Sequence, residues 1–454
     1  MHSLLPYGNK TLKITIDDKI SGVEMKEFLV TKRNLYSEKI RKVRDNKNIV
    51  FLTGARRSGK TSLGIQLAEE LGECADSWNV FRLNFETTDN MNFTCESLIG
   101  FFDERYDENE KTYFILDEVS NITGWQNAVN HMYSFPNCKI FIFSSNSGVI
   151  SNELDAVNQG NFDVIDVLPL SLEEYISFHN FVDITPDEEI GNKRYLWING
   201  EEYSLAEVYS IYVTYGGLPI MPSEFMCRER ARVILDGTYS SIVVRDIMEI
   251  DKRGNESGIT DPVLARDIIK ILSTSIGRNI SATGIKKYLA EHMDKKSATK
   301  TVDQYMRSFK NAHLFYTAER YDIRAGKILK TLAKYYVVDA GIHNYLVGIT
   351  DDAGRILENQ VYFELKRRDY KILNGKIGSE KINFNAMNGD KKVYVQTVYE
   401  MTGENEKKLL SPLRKVRDNH LKAVIAFNAR SGMTRDGIII LNALEFFMGR
   451  PLAM

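Results

Sequence analysis

A short glycine-rich stretch carries residue types and spacings that can bind phosphate groups. An apolar run at 49–52, of the length of a buried parallel strand, leads into this stretch. In the spacing Gly-x-x-x-x-Gly-Lys-Thr, the glycines let backbone N–H groups turn toward phosphates, the lysine reaches the β- and γ-phosphates, and the threonine hydroxyl can ligate magnesium. The residues with these roles are Gly54, Ser58, Gly59, Lys60, Thr61 and Ser62. The spacing predicts a phosphate-binding loop, or P-loop, that takes ATP with Mg²⁺ and uses Lys60 in catalysis.

The segment after the loop has the pattern of an amphipathic helix. Leu63, Leu67 and Leu71 recur every four residues, and Gly72 stands where a helix would end. The strand, loop and helix that a P-loop requires are therefore all predicted from the sequence.

A second group of chemically capable residues follows another apolar run, at 113–116. This run ends in Asp117 and Glu118. In P-loop enzymes such a strand supplies an aspartate for the Mg²⁺ shell and a glutamate that polarises the attacking water. We therefore predict Asp117 and Thr61 as metal ligands and Glu118 as a catalytic residue.

Polar residues also end the next apolar run, at 139–143. Either Asn146 or Ser145 can sense the γ-phosphate or orient the water, and Asn146 is the catalytic candidate. The alternative is a polar turn that caps the following helix. The sequence leaves both interpretations open.

The elements that must position these residues alternate between strand and helix patterns. Further strands are predicted at 80–85 and 162–168, and Ser171 with Glu174 forms a candidate capping box for the next helix. This alternation predicts an α/β fold with a doubly wound parallel sheet, in which ligands bind at the carboxyl ends of the strands.

Length and composition are those of a multidomain globular protein. The chain has 454 residues, 43% of them hydrophobic and 26% charged, with a net charge of −2. These values predict two to four domains. No apolar run is long enough to span a bilayer, the first ten residues lack the apolar core of a signal peptide, and the four cysteines have no paired short spacing. We expect a cytoplasmic protein with reduced thiols and no membrane partner.

A mostly helical pattern runs from 176 to 261, with a break at 215–219. It predicts a small helical lid over the nucleotide. A charged guanidinium in such a lid can act as an arginine finger on the γ-phosphate. The candidates in this segment are Arg228, Arg230, Arg232 and Arg245.

Residues 262–347 are basic in an otherwise acidic chain. They hold 15 Lys plus Arg against 7 Asp plus Glu, a balance of +8. Helix patterns at 264–275, 281–292 and 299–312, followed by strand patterns at 314–321 and 334–339, have the order of a winged helix. Its cations would contact phosphates of double-stranded DNA; those near the third helix are Lys295, Lys296, Lys300 and Arg307. The alternative is a winged helix that docks a protein.

The last section, 352–454, has the order helix, three strands, helix and strand of a restriction-endonuclease-like core. Such nucleases hold divalent metal with clustered carboxylates. Neutral Asn383 and Gln396 occupy the positions that should carry them, and Glu358 alone remains. We predict an inactive nuclease-like domain.

Together these motifs resemble those of prokaryotic AAA-type P-loop ATPases, related to the archaeal and signal-transducing groups, that are fused to a winged helix and a C-terminal restriction-endonuclease-like domain. The motifs that carry the resemblance lie at 54–61, 116–118, Trp125, 169–171, 216–219, Arg245 with Asp246, 334–339, and Glu358 with Asn359. Two departures stand out. Asn161 occupies a position where the family commonly has arginine after glycine, and Asn383 one where it usually has aspartate.

The resemblance implies a P-loop ATPase core with an N-terminal extension at 1–175, a helical lid at 176–261, a winged helix at 262–347 and the nuclease-like domain at 352–454. The predicted function is Mg²⁺-dependent ATP hydrolysis coupled to a winged helix that binds DNA through 262–347 or binds a partner protein. The alternative is a slow-turnover switch or scaffold that binds ATP or ADP and protein partners, supported by Asn161. A DNA-cleaving effector rests on Glu358 alone. Monomer, dimer and ring all stay open.

Overall fold

The computed structural model describes residues 32–73, 79–151 except 89 and 91, 153–220, 228–243, 247, 259, 261–349 and 352–452. The chain forms two compact units. The first comprises Gly59–Val167 with the described residues before Gly54, and the second comprises Gly54–Ser58 with the described residues from Leu168 onward. Within the described residues, no helix has both the length and the apolar character to cross a membrane.

The first unit is built on a five-stranded sheet. Its strands are β1 (Ile49–Thr53), β2 (Asn79–Asn84), β3 (Thr112–Asp117), β4 (Cys138–Ser144) and β5 (Phe162–Asp166). The order across the sheet is β2-β3-β4-β1-β5, and every neighbouring pair is parallel. The predicted parallel sheet is therefore confirmed.

The strand register brings the predicted site residues to one edge of this sheet. Thr53, the last residue of β1, pairs with Ser144 at the end of β4, and Asn84 at the end of β2 pairs with Asp117 at the end of β3. Because all five strands are parallel, their carboxyl ends share this edge.

Helices cover both faces of the five-stranded sheet. They are α1 (Asn34–Val43), α2 (Lys60–Glu73), α3 (Cys95–Asp103), α4 (Trp125–Tyr133) and α5 (Asp155–Asn158). The alternation of β1 divides its side chains: Val50 packs in the cluster that contains Leu63 of α2, whereas Phe51 packs in the cluster that contains Phe102 of α3. The predicted end at Gly72 is one residue short, since α2 runs to Glu73.

The second unit begins with helices and a small sheet. The helices are α6 (Leu172–Phe178), α7 (Leu205–Tyr215) and α8 (Arg228–Ser241), and the strands are β6 (Val182–Asp183), β7 (Arg194–Leu196) and β8 (Glu202–Ser204). The capping box is confirmed, because Ser171 and Glu174 bond reciprocally at 2.9 and 3.0 Å. The mainly helical prediction for 176–261 missed the sheet, since strands of two or three residues are too short to show a period of two.

The basic region contains the three predicted helices and the hairpin. Its elements are α9 (Pro262–Thr274), β9 (Asn279–Ile280), α10 (Ala282–His292), α11 (Thr299–Asn311), β10 (Phe315–Asp322), β11 (Lys327–Val337) and α12 (Ala340–Val347). Strand β9 pairs antiparallel with β11, which in turn pairs with β10. This short strand after the first helix was not predicted.

The C-terminal elements continue the same sheet. They are α13 (Ala353–Arg367), β12 (Lys371–Ile377), β13 (Glu380–Asn388), β14 (Lys391–Val398), α14 (Glu406–Arg414), β15 (Leu421–Ala426), β16 (Gly432–Met433), β17 (Ile439–Asn442) and α15 (Ala443–Phe447). Nine strands run in the order β16-β17-β15-β14-β13-β12-β10-β11-β9. Because β10 pairs parallel with β12, the hairpin and the C-terminal strands share one sheet.

Candidate functional site

Lys60 and Thr61 open α2 directly after the loop. Gly59 has a φ of 93°, a conformation that glycine adopts without strain, and its carbonyl accepts a hydrogen bond from the Leu63 N–H at 2.9 Å. The first N–H groups of a helix have no partner within it and attract anions. Lys60 is buried, while Thr61 and Ser62 are exposed in the first turn. These residues therefore have the placement that phosphate binding needs.

The other two predicted loop residues, Gly54 and Ser58, belong to the second unit and are both buried. Within their own stretch the backbone turns tightly, since the Ser58 N–H donates to the Ala55 carbonyl at 3.1 Å and Arg57 has a positive φ of 66°. Their contact with phosphate stays a prediction.

Asp117 provides a buried carboxylate at the carboxyl edge of the first unit's sheet. It is 2% exposed, and among the described residues neither of its oxygens has a hydrogen-bond partner. Burial raises its pKa, and the nearby Thr61 hydroxyl and the charges of Arg82 and Lys60 oppose that shift. A buried polar group without a hydrogen bond requires an explanation. An oxygen ligand for a hard divalent cation supplies one, so Asp117 with Thr61 fits Mg²⁺.

Arg82 lies beside Asp117 and was missed by the sequence reasoning. Its Nη2 is 3.7 Å from Oδ2 of Asp117, and its Nε has no partner among the described residues. Burial lowers the pKa of the guanidinium, which nevertheless stays charged at neutral pH. The available signal was a single cation inside an apolar strand, Val80-Phe81-Arg82-Leu83.

Glu118 is held against the tip of β4. Its backbone is in the left-handed region, with φ 55°, an uncommon conformation for a residue with a side chain. The Ser145 N–H donates to its Oε1 at 2.8 Å, and the Ser144 hydroxyl donates to Oε2 at 3.4 Å. These two bonds fix the carboxylate beside the last residues of β4.

Asn146 caps the short turn Ser147–Val149. Its Oδ1 accepts the Gly148 N–H at 2.6 Å. The structure therefore contains the capping interaction that was the alternative for this residue. A role for Asn146 in sensing phosphate stays a prediction.

The candidate arginine positions fall in different places. Asn161 lies at the amino edge of the parallel sheet, where its carbonyl accepts the Ile49 N–H at 3.2 Å. That edge is about 13 Å along β1 from Thr53. The backbone of an arginine at position 161 would therefore lie at the edge of the sheet opposite to Asp117. Arg230 and Arg232 lie on α8 of the second unit, whereas Arg245 and the side chain of Arg228 lie outside the described residues.

The second unit brings the nuclease-like positions together as a hydrogen-bonded cluster. Glu358 accepts from Lys334 and from the Tyr336 hydroxyl, both at 2.8 Å on Oε1, and from the Asn383 amide at 2.7 Å on Oε2. Gln396 accepts the Asn383 N–H at 3.1 Å. Lys334 was not predicted as the partner of Glu358. In the described part of the chain, no group of three or more His, Cys, Asp or Glu side chains could hold a metal.

Comparison with known proteins places the P-loop segment in a recognised family. Residues 46–176 match the family model of an AAA domain, and residues 206–353 match that of a domain of unknown function (DUF8612). An uncharacterised protein of Haemophilus influenzae strain Rd is 30% identical over 93% of this chain and 100% of its own length. An uncharacterised protein of Methanocaldococcus jannaschii is 24% identical over 84% of this chain and 82% of its own length.

Among solved structures, a Thermotoga maritima RuvB variant is 13% identical, covering 62% of this chain and 88% of that one, at a TM-score of 0.29. This similarity is too low to indicate a shared overall structure.

Residues 46–176 match the model of an AAA domain, and the five-stranded parallel sheet lies within this segment. The chain therefore contains an AAA-type P-loop ATPase domain. Beyond this class, the match over the whole length of the H. influenzae protein shows that the chain belongs to the same family as that protein.

Proposed function

We infer that the protein is a Mg²⁺-dependent ATPase whose nucleotide state controls a DNA-binding or partner-binding arm. The observation that carries the proposal is the buried Asp117 carboxylate, which has no hydrogen-bond partner among the described residues and lies near Thr61 and Lys60. A nucleotide with its metal would satisfy this carboxylate.

The residues of the first unit have separable chemical roles in this proposal. Asp117 and the Thr61 hydroxyl would hold Mg²⁺, which when bound neutralises phosphate charge. Lys60 stabilises negative charge on the β- and γ-phosphate oxygens as the bond to the leaving group breaks. Glu118 accepts a proton from the attacking water as the general base.

Exposed cations support a DNA-binding role for the basic region. Lys296 and Lys300 flank the start of α11, and Arg307 lies on its exposed face. Arg307 also contacts Asp303 at 3.5 Å, an exposed pair that costs little to break. The element order from α9 to β11, with β9 paired to β11, supports our proposal that this region is a winged helix. Such cations give affinity for phosphates rather than sequence choice.

A slow nucleotide-dependent switch is the second candidate, and the Glu118 contacts favour it. Both carboxylate oxygens of Glu118 are engaged with residues at the end of β4. A base held in this way would leave bound ATP intact until the contact opens. Turnover measurements distinguish the switch from the ATPase.

Nucleotide binding tests the proposal directly. The wild type, Lys60→Ala and the control Lys42→Ala, an exposed lysine on α1, are titrated with a fluorescent ATP analogue in Mg²⁺ and in EDTA. We expect tight Mg²⁺-dependent binding by wild type and control and a large loss in Lys60→Ala. Equal binding by all three proteins would reject the site.

DNA binding is tested separately by fluorescence anisotropy with a labelled duplex at two salt concentrations. We expect salt-sensitive binding that weakens in Lys300→Ala/Arg307→Ala. Binding that is absent, or unchanged in the double variant, would move the arm toward protein partners.

A further inference from the structure

We propose that the outer face of the small sheet β6-β7-β8 is a docking surface for a protein segment with an apolar stripe flanked by Lys or Arg. Large apolar side chains on this face and in the adjoining turn are exposed to solvent. They form what we call the outer patch: Val182 (50% exposed), Ile184 (40%), Leu196 (39%) and Ile198 (53%).

The strand register places Val182, Ile184 and Leu196 on one side of the sheet. Val182 of β6 pairs directly with Leu196 of β7, so their side chains point to the same face. Ile184 continues the ladder, since its N–H donates to the Arg194 carbonyl at 3.0 Å. It lies two residues beyond Val182, so the alternation of a strand puts it on the same side. Ile198 lies in the turn that joins β7 to β8, where the Gly200 N–H donates to the Trp197 carbonyl at 2.9 Å.

The opposite face of the same sheet is already covered. Phe181 and Tyr195 are buried there in the large core of the second unit. The Phe181 ring stacks on the Trp197 ring, with the ring centroids 5.1 Å apart. A sheet with one covered face normally presents polar side chains on the other. The register also puts the ion pair of Arg194 with Glu202 on the outer face. The outer patch lies beside this pair and departs from the polar pattern, and exposed apolar surface is typical of an interaction site.

Charge around the outer patch specifies the partner. Residues 182–204 contain six acidic and two basic residues. Both bases are already paired, Lys193 with Asp183 and Arg194 with Glu202. The remaining acids are exposed and form no salt bridge among the described residues. We call them the acidic rim: Asp187, Glu188, Glu189 and Glu201.

An apolar surface with an acidic rim discriminates among macromolecules. Nucleic acid and anionic lipid surfaces would be repelled by these four carboxylates, which form no salt bridge among the described residues. A protein segment with an apolar stripe buries the outer patch, and flanking Lys or Arg complement the rim and speed association. The basic region 262–347 and the outer patch with its acidic rim would then bind different partners.

The test uses the full-length protein and two labelled peptides, one of Leu and Lys in an amphipathic helical pattern and one with Glu in place of every Lys. The variants are Val182→Ser/Leu196→Ser in the patch and Glu188→Lys/Glu189→Lys in the rim. Val233→Ser is the control, because Val233 on α8 is 72% exposed. Circular dichroism verifies that each variant folds, and hydrogen exchange maps protection over 182–204.

We expect the Lys peptide to bind the wild type and Val233→Ser equally and to protect 182–204. The patch variant should weaken binding by on the order of tenfold or more, since two apolar side chains lose burial. The rim variant should weaken it and remove its salt dependence. Equal binding by wild type and patch variant, or equal binding of the Glu peptide, would overturn the proposal.

Self-association is measured by sedimentation velocity over a range of concentrations. If wild type dimerises and the patch variant does not, a second copy of the chain occupies the surface and the basic partner is rejected. A wild type that stays monomeric supports the proposed partner. None of these outcomes depends on ATP.

Discussion

The guanidinium of Arg82 lies 3.7 Å from the carboxylate of Asp117, on the strand next to it. Asp117 is the proposed Mg²⁺ ligand, so a bound cation would share this carboxylate with a fixed positive charge. Like charges at such distances repel, most strongly where solvent is excluded. Arg82 therefore stabilises the buried carboxylate and at the same time weakens its affinity for a cation.

Replacing Arg82 separates these two effects. We expect Arg82→Gln to bind ATP with a several-fold lower half-saturating Mg²⁺ concentration, because the competing charge is gone. In EDTA the variant should be less stable by about 1 to 3 kcal/mol, since Asp117 loses its neighbouring cation. Mg²⁺ titrations of nucleotide binding and urea unfolding measure the two effects. The control is Arg41→Gln, whose arginine is exposed; identical behaviour of both variants would contradict this role of Arg82.

Gly216, the residue that follows α7, has no room for a side chain. It has a φ of 87°, and a Cβ built on it would clash with Oδ1 of Asp339. Asp339 in turn accepts the Gly217 N–H at 2.6 Å. We expect Gly216→Ala to lower the free energy of unfolding by more than about 2 kcal/mol.

A matched glycine provides the control for that experiment. Gly237 lies inside α8 with nothing within 4 Å of a built Cβ. Gly237→Ala should therefore raise the free energy of unfolding by about 0.5 to 1 kcal/mol. Urea unfolding compares the two variants, and a similar effect of both substitutions would show that the contact with Asp339 is unimportant.

His179 should make the second unit sensitive to acid. Its ring is fully buried against Tyr175, with ring centroids 4.2 Å apart, and burial lowers its pKa to about 4. The folded state then binds the proton less readily than the unfolded chain, so this contribution to stability is complete above pH 6.5 and is lost as the pH falls toward 4. The loss should reach about 2 kcal/mol at pH 5.

The variant His179→Gln removes this titration. Urea unfolding at pH 7.5 and at pH 5 measures the free energy of unfolding of both proteins. Between these two pH values the wild type should lose about 2 kcal/mol more of this free energy than the variant. A difference that does not change with pH would mean that His179 keeps an ordinary pKa in the folded protein.

Lys334 and Glu358 form a buried ion pair at 2.8 Å. Lys334→Met would leave the Glu358 charge buried without its cation, and we expect a loss of about 3 to 5 kcal/mol in unfolding free energy. The double variant Lys334→Met/Glu358→Gln should recover much of this loss, because the charge is gone while the amide still bonds. If the single variant is as stable as wild type, the cluster does not stabilise the fold.

The sequence predicted the parts of the site that are encoded locally. The spacing from Gly59 to Thr61 and the acids that end β3 lie within single strand-to-loop segments, where residue type and position in the element determine the geometry. The parallel arrangement followed from alternating strands and helices, and the structure confirms it.

Contacts made across the sheets were not predictable in the same way. Arg82 meets Asp117 because β2 lies next to β3, and Lys334 meets Glu358 across 24 positions of sequence. The sequence does not specify which strands become neighbours, so it could not identify these partners. For the same reason, the sequence did not indicate that β10 pairs with β12. This pairing joins two regions that were predicted as separate domains.

The most direct test of the central claim is steady-state ATP hydrolysis by wild type, Glu118→Gln and the exposed control Glu104→Gln, with and without duplex DNA at two salt concentrations. We predict turnover by wild type and control, a loss of about 100-fold or more in Glu118→Gln because the general base is removed, and a salt-sensitive stimulation by DNA. Equal rates in wild type and Glu118→Gln would contradict the proposal that the protein is an ATPase with Glu118 as general base. A wild type that binds ATP without turnover would also contradict the ATPase proposal, and it would favour the nucleotide-dependent switch.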